Sequence, residues 1–298
     1  MDVILVHGSV ETSCGPQYLA ALRRAALAGY QALSKGILDA VEEAVVVLED
    51  DPLFNAGYGS VLNRDGEVEM DAAIMDGTTG RCGAVAAIKE VRNPVRVARM
   101  VMEETPHVLL AGEGALKFAR RRGFPPFDPV VDVQRDSWER AVAALARGDE
   151  FRFSAFTGLP KACDTVGAVA VHNGGTAAAS STGGSFLKLP GRVGDTPVIG
   201  GGIYASPHGA VVCTGLGEAF IGCAGAAWTV NLLAQGVGVQ EAAMAAIRRL
   251  GKTKATGGIL VVDKDGHAAG AHNADSFPVA LVIDGRAVDD FTPIRLKM

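Results

Sequence analysis

Thr165 heads the run Thr165-Val166-Gly167-Ala168-Val169-Ala170-Val171, whose small and β-branched residues have the composition of a strand buried on both faces. The stretch before it, 151–162, carries Arg152, Ser154, Thr157, Gly158, Pro160 and Lys161 without a clear period and reads as a loop. A threonine at that junction is well placed to become a chain terminus. Were the Asp164–Thr165 bond cut, one residue would hold both a hydroxyl nucleophile and a free α-amine. An α-amine has a reference pKa near ~7.7–8.0, so it can act as general base for its own hydroxyl at neutral pH. By itself the run is also what any buried strand looks like, with Thr165 one of its β-branched residues, and that is the commoner case.

Arg192 and Asp195 lie three apart in the glycine-bearing loop Gly191-Arg192-Val193-Gly194-Asp195-Thr196-Pro197. As an exposed ion pair they would contribute only ~0–1 kcal/mol. As a functional pair they would grip both charges of an α-amino acid, Arg192 taking a carboxylate bidentately and Asp195 an ammonium. The segment Thr214-Gly215-Leu216-Gly217-Glu218 ends a strand and opens a helix, where backbone amides and the helix dipole favour an anion or a developing oxyanion. A dinucleotide fingerprint would sit at the same place. However, Phe220 occupies the third glycine position, and ~20 residues on stands Gln235 rather than an acid. Gly183-Gly184-Ser185-Phe186-Leu187-Lys188 lacks the spacing of a phosphate-binding loop. The carboxylates of Glu49, Asp50 and Asp51 lack EF-hand spacing, and Pro52 interrupts them.

The elements that must carry these residues can be read from periodicity. Val3 to His7 reads as a strand, followed by two consecutive helices over 18–32 and 37–48. Residues 61–75 read as a hairpin turning at Asn63-Arg64-Asp65-Gly66, and 83–88 as a buried strand. Asn93-Pro94 reads as N-cap and first position of a helix reaching about Glu103, with further helices over 112–122 and 137–147. After Thr165 the turn His172-Asn173-Gly174-Gly175 folds the strand back onto 176–181. A strand over 209–213, one long helix from about 217 to 234, a second over 239–250 and closing strands at 257–263, 268–272 and 278–283 complete the chain. Hairpins together with paired helices predict an α+β layered fold rather than alternating βαβ units.

Composition narrows the classes further. Of 298 residues, 48% are hydrophobic and 20% charged, which suits a sizeable core. A net charge of −5 argues against nucleic acid or an anionic membrane surface as partner. Arg120-Arg121-Arg122 and Arg248-Arg249 precede glycines and read as helix C-termini instead. No apolar run approaches a membrane span, and no basic leader precedes the first strand. The five cysteines (14, 82, 163, 213, 223) are odd in number and form no C-x-x-C, as expected of reduced, mostly buried thiols in a cytoplasmic protein.

Taken together, Asp164-Thr165-Val166-Gly167-Ala168-Val169, Ser181-Thr182-Gly183-Gly184, Gly191-Arg192-Val193-Gly194-Asp195 and Thr214-Gly215-Leu216-Gly217-Glu218 occur in that order at close spacing. The set resembles the plant-type asparaginase and isoaspartyl peptidase family of N-terminal-nucleophile (Ntn) hydrolases. The resemblance extends upstream through 48–57, Glu67-Val68-Glu69-Met70-Asp71-Ala72, Asn93-Pro94 and Thr105-Pro106-His107, and is weakest at 123–162 and at the C-terminus.

That resemblance implies a four-layer αββα sandwich made as a precursor that cleaves itself between Asp164 and Thr165. The products would be an α subunit, 1–164, and a β subunit, 165–298, folded together. Mature Thr165 would attack the side-chain amide of L-asparagine or of a β-aspartyl (isoaspartyl) dipeptide. Thr182 would orient it, Thr214 and the Gly215 amide would hold the oxyanion, and Asn55 would reach its terminus. Arg192 and Asp195 would hold the substrate's α-charges, with Val193, Gly194, Leu216 and Gly217 lining the same pocket. No catalytic cofactor is implied, but a structural Na⁺ held by the carbonyls of Leu48, Glu49, Asp51, Phe54, Ala56 and Tyr58 is. A homodimer of cleaved heterodimers is implied as well. Three departures stand out: Ser9 in His7-Gly8-Ser9 where the family has glycine, Asp164 where the asparaginase branch often has glycine, and Cys163 where the glycosylasparaginase branch has histidine. The alternatives are an amidase of N4-glycosylated asparagine and an uncleaved nucleotide-binding or non-enzymatic relative.

Overall fold

The computed structural model describes residues 1–10, 15–147 and 165–297. The expected loop at 151–162, Cys163 and Asp164 of the expected cleavage site, and Cys14 lie outside the described residues.

The upstream part contains β1 (Val3–His7), α1 (Pro16–Ala32), α2 (Ile37–Glu49), β2 (Met70–Asp76) and β3 (Cys82–Ile88). It continues through α3 (Pro94–Glu104), β4 (Leu109–Ala111), α4 (Gly112–Arg121) and α5 (Asp132–Ala146). Downstream of Thr165 come β5 (Val166–His172), β6 (Gly175–Thr182), β7 (Ile203–Ser206) and β8 (Gly209–Gly215), then α6 (Gly217–Cys223), α7 (Gly225–Ala234) and α8 (Val239–Gly251). The chain closes with β9 (Gly257–Asp263), β10 (Ala268–His272), β11 (Val279–Ile283), β12 (Arg286–Val288) and β13 (Ile294–Arg295).

The strands form two sheets, one in the order β12-β11-β1-β5-β6-β2-β3-β4 and one in the order β13-β10-β9-β8-β7. Downstream strands β5 and β6 therefore lie between upstream strands β1 and β2. The β5–β6 turn forms as the sequence predicts, with Asn173 and Gly174 both in the left-handed region (φ 50° and 77°) and His172 paired with Gly175.

Side chains alternate along each strand and so fill different layers. Ile4, Val6, Val166, Ala168, Ala170, Ala177 and Ala179 face α1, α2 and α3. Their neighbours Val3, Leu5, Val169, Val171 and Ala178 meet Val212, Leu260 and Val262 of the second sheet. The other face of that sheet, including Val211, Cys213, Ile259 and Val261, packs on α7 and α8. Among the described residues no helix is long and apolar enough to cross a membrane.

Three local expectations are corrected. Val61 and Leu62 form no strand: the turn at Asn63 forms, closed by Asn63 Oδ1 accepting from the amides of Asp65 and Glu67, but β2 pairs with β3 and β6 instead. The single helix expected over 217–234 breaks at Ala224, which adopts φ 48°, ψ 48°, because Phe220 packs against Gly225 and Gly257 and turns the chain. Asn93 does not cap α3. Its amide donates to Asp50, and the Val95 amide is capped at 3.0 Å by the carboxylate of Glu49 at the end of α2.

Candidate active site

Thr165 directly precedes β5, and continuing the Val166–Ser181 pairing by one residue sets it opposite Thr182 at the end of β6. Strand alternation places Thr165 on the side of Val169 and Val171, and Thr182 on that of Ala178, both toward the second sheet. On the second sheet Thr214 shares its side with Val212 and so faces back toward them. The two sheets approach closely here because Gly167 lacks a side chain: a Cβ would lie 2.5 Å from His7 Nε2 and 3.2 Å from Val212 Cβ. Thr165, Thr182 and Thr214 are all buried. Gly215 ends β8 at φ 128°, and a Cβ there would meet Gly257 Cα at 2.6 Å, so only glycine lets that backbone turn beside Thr214.

One recess is lined by Thr165, Thr182, Gly184, Ser185, Arg192, Gly194, Asp195 and Gly215. Six residues singled out by sequence, Thr165, Thr182, Arg192, Gly194, Asp195 and Gly215, thus meet in it, whereas Asn55, Val193, Thr214, Leu216 and Gly217 do not line it. A roomier groove of about 340 Å³ over α1 and α2, lined in part by Gln31, Lys35, Asp39 and Glu42, holds none of them. Thr182 Oγ1 accepts from the Gly184 amide at 2.9 Å. Asn55 holds the same turn from the upstream part, donating to Gly184 O at 2.7 Å while its own carbonyl accepts from the Gly183 amide at 2.8 Å. Leu216 is exposed and Val193 half-buried, whereas Gly217 is pressed against Asp195, so that a Cβ would lie 2.9 Å from the Asp195 amide nitrogen and Oδ1.

The charges of the recess are arranged in a way the spacing alone did not reveal. Arg192 pairs with Glu218 at the start of α6, Nε and Nη2 each 2.9 Å from a carboxylate oxygen. Its Nη1 lies over Gly194, 3.0 Å from where a Cβ would be. Asp195 is buried, and its Oδ2 has no partner among the described residues. Burial pushes its carboxyl up to about 7, opposed by the positive charge of Arg192. A buried, half-satisfied carboxylate beside a glycine-lined opening is suited to an incoming ammonium.

Sequence reading did not assign Glu218, Ser185, His7 or Ser9 to the site. His7 is fully buried, and its ring reaches the Thr165 backbone; burial takes it down to about 3, so it stays neutral. Ser9, at φ 83°, donates its hydroxyl to Val10 O and lies 3.0 Å from Thr214 Oγ1. The signal for Ser9 was present in His7-Gly8-Ser9, but its partner is 205 residues away.

The 48–59 loop closes tightly on its own carbonyls. Glu49 O accepts from the Tyr58 amide at 2.7 Å, and Cβ atoms at Gly57 and Gly59 would lie 2.5 Å from Glu49 O and 3.0 Å from Phe54 O. Glu49 is fully buried at the end of α2, and burial pushes its carboxyl up to about 8, opposed by hydrogen bonds from Ser181, the Val95 amide and Asn93. Among the described residues no cluster of three His, Cys, Asp or Glu side chains could hold a metal.

Comparison with known proteins identifies the family. The asparaginase family pattern matches residues 2–289. The chain is 47% identical to the plant-type L-asparaginase of Pyrococcus abyssi, over 96% of this chain and 97% of that protein. It is 43% identical to the isoaspartyl peptidase/L-asparaginase of Mus musculus, over 95% of this chain and 89% of that one. With the family pattern spanning residues 2–289 and relatives 43–47% identical over at least 95% of this chain, the chain belongs to the asparaginase family.

Proposed function

We propose that this protein is a threonine amidohydrolase that converts L-asparagine and β-aspartyl dipeptides to L-aspartate after cleaving itself between Asp164 and Thr165. The observation that carries the reading is that Thr165 shares one recess with Arg192 and Asp195. A nucleophile there faces a group able to take an α-carboxylate and another able to take an α-ammonium, which is the recognition an asparagine side-chain amide hydrolase needs.

In maturation the Thr165 hydroxyl attacks the Asp164 carbonyl, the acyl group moves from nitrogen to oxygen, and water releases it. The freed α-amine then takes the hydroxyl proton as Thr165 Oγ adds to the substrate's side-chain carbonyl. The oxyanion is held by Thr214 and the Gly215 amide. Collapse expels ammonia, or the departing amino acid through its amine, protonated by the same α-amine, and leaves a β-aspartyl ester on Thr165. Water activated by that amine hydrolyses the ester and restores the hydroxyl. Thr182 orients the nucleophile, and Asn55 fixes the Gly183-Gly184 turn beside it. Because Glu218 occupies the Nε–Nη2 edge of Arg192, the substrate carboxylate meets Nη1 over Gly194.

The same reading takes the two sheets and their helices as a four-layer αββα sandwich, and 1–164 and 165–298 as its α and β subunits. It has two such heterodimers pair in a cytoplasmic enzyme that needs no catalytic cofactor and no nucleic-acid or membrane partner. The carbonyls of Leu48, Glu49, Asp51, Phe54, Ala56 and Tyr58 would hold a Na⁺ that stiffens the loop carrying Asn55. Intact mass before and after incubation at neutral pH, followed by assay on L-asparagine, isoaspartyl dipeptides and N4-glycosylated asparagine, tests the proposal. Thr165→Ala is expected to stay one chain and release no ammonia. A Thr165→Ala protein that still splits at this bond would overturn the mechanism.

A further inference from the structure

The loop that carries Arg192 and Asp195 does not support itself. Two carboxylates, Glu69 just before β2 and Asp71 near its start, reach under it. Glu69 Oε2 accepts from the Gly191 amide at 2.9 Å, and Asp71 Oδ2 accepts from the Gly194 amide at 3.1 Å. Asp71 Oδ1 is anchored at 2.8 Å by the Ala87 amide of β3, so that carboxylate bridges the sheet and the loop. Beneath them Lys188 donates its Nζ to Glu69 O at 2.6 Å and is 2% exposed, with Glu69 at 5% and Asp71 at 0%. Such burial is costly unless each group is paired and bonded: it pushes the Asp71 carboxyl up and the Lys188 ammonium down, and their mutual attraction opposes both shifts. Their bonds fall on the two glycine amides that flank the clamp residues, Gly191 before Arg192 and Gly194 before Asp195.

We infer that Glu69, Asp71 and Lys188 form a buried platform that sets the geometry of the Gly191–Asp195 loop, with Asp71 the positioning residue for the α-amino-acid clamp. This inference rests on the clamp reading given above. None of the three lines the recess, so they act on substrate only through the loop. They touch neither Thr165 nor Thr214 by any hydrogen bond among the described residues, so affinity should depend on the platform and self-cleavage should not.

Asp71 also has an electrostatic consequence. Its charge opposes ionisation of Asp195, as does that of Glu218 from α6, while Arg192 favours it; the Cys213 thiol of β8 also couples to Asp195. Neutralising Asp71 therefore lets Asp195 ionise at lower pH.

The test is steady-state kinetics on L-asparagine with Asp71→Asn, which keeps the side-chain shape. The expected result is a KM raised tenfold or more, kcat within threefold, an unchanged self-cleavage rate, and the acid limb of kcat/KM moved to lower pH. Equal loss in kcat together with slowed self-cleavage, or an unmoved KM and acid limb, would overturn the inference. Should Asp71→Asn fail to fold, Glu69→Gln and Glu69→Ala are compared by titration with L-aspartate, read as a thermal shift. Glu69→Gln keeps an oxygen for the Gly191 amide and should bind near normally, whereas Glu69→Ala should lose about tenfold. Equal binding by the two would overturn it. If the unaltered protein hydrolyses no β-aspartyl amide, the amidase reading fails, and the L-aspartate titration still decides the platform.

Discussion

At the scale of single residues, the recess depends on where charges sit and how deeply. Arg192 keeps one edge on Glu218 and offers another over Gly194, so its loss removes a directed contact as well as a charge. Arg192→Ala should spare self-cleavage and weaken L-asparagine binding by roughly 2–5 kcal/mol, about 30-fold or more in KM. Normal KM in that variant would dismiss the clamp. Asp195 makes a second prediction. Burial raises its carboxyl from the usual 3.8 to about 7, so it gains a proton, and loses its hold on an ammonium, as pH falls through that value. The kcat/KM for L-asparagine should therefore decline below about pH 7, in the same window where the Thr165 α-amine becomes protonated. Asp195→Asn should weaken binding and remove its share of the acid limb. The linked effect on folding has the opposite sense. The folded state binds this proton more tightly than the unfolded chain, so stability falls as pH rises between those two values.

At the scale of elements, the placement of helix ends and turns matters more than the helices themselves. The Glu49 carboxyl, fully buried at the end of α2, caps the Val95 amide of α3 and so fixes the angle between α2, which covers β5 and β6, and α3, which covers β2 and β3. Glu49→Ala should cost about 1–2 kcal/mol. For a domain of this size that corresponds to a fall in Tm of roughly 2–4 °C per kcal/mol. Glu49→Gln, which keeps an acceptor, should recover most of the loss in a thermal melt. Sequence reading placed this cap on Asn93 because Asn before Pro is the local signal; Glu49 is 46 residues from the amide it satisfies. The break at Ala224 was missed for a similar reason. Apolar residues run at helical spacing on both sides of Ala224, and although Gly222 and Gly225 are weak helix formers, it is the packing of Phe220 on Gly225 and Gly257 that turns the axis there.

At the scale of the whole molecule, the proposed cleavage site and the sheet order have a joint consequence. β5 and β6, which follow Thr165, are hydrogen-bonded on one side to β1 and on the other to β2, which precede it. β11, from near the C-terminus, pairs with the far edge of β1. Cutting the chain before Thr165 therefore breaks one peptide bond and no sheet. The fragments should co-elute in size-exclusion chromatography and separate only in denaturant; separate elution under native conditions would contradict the sheet order.

The sequence by itself determined a good deal: the β1 and β5–β6 strands, the paired helices, and the candidate nucleophile Thr165 and candidate clamp residues Arg192 and Asp195. These are legible because hydrophobic period, Asn-Gly turn chemistry and short motifs such as Gly191-Arg192-Val193-Gly194-Asp195 are local, each requirement falling on neighbouring residues. Tertiary structure alone decided that Arg192 pairs with Glu218 rather than Asp195, that Ser9 meets Thr214, and that Glu69 and Asp71 carry the clamp loop. Those partners are separated by 26, 205, 122 and 123 residues respectively. The fold fixes them by sheet register and by burial, where a charged or polar group must find whatever partner the packed interior provides.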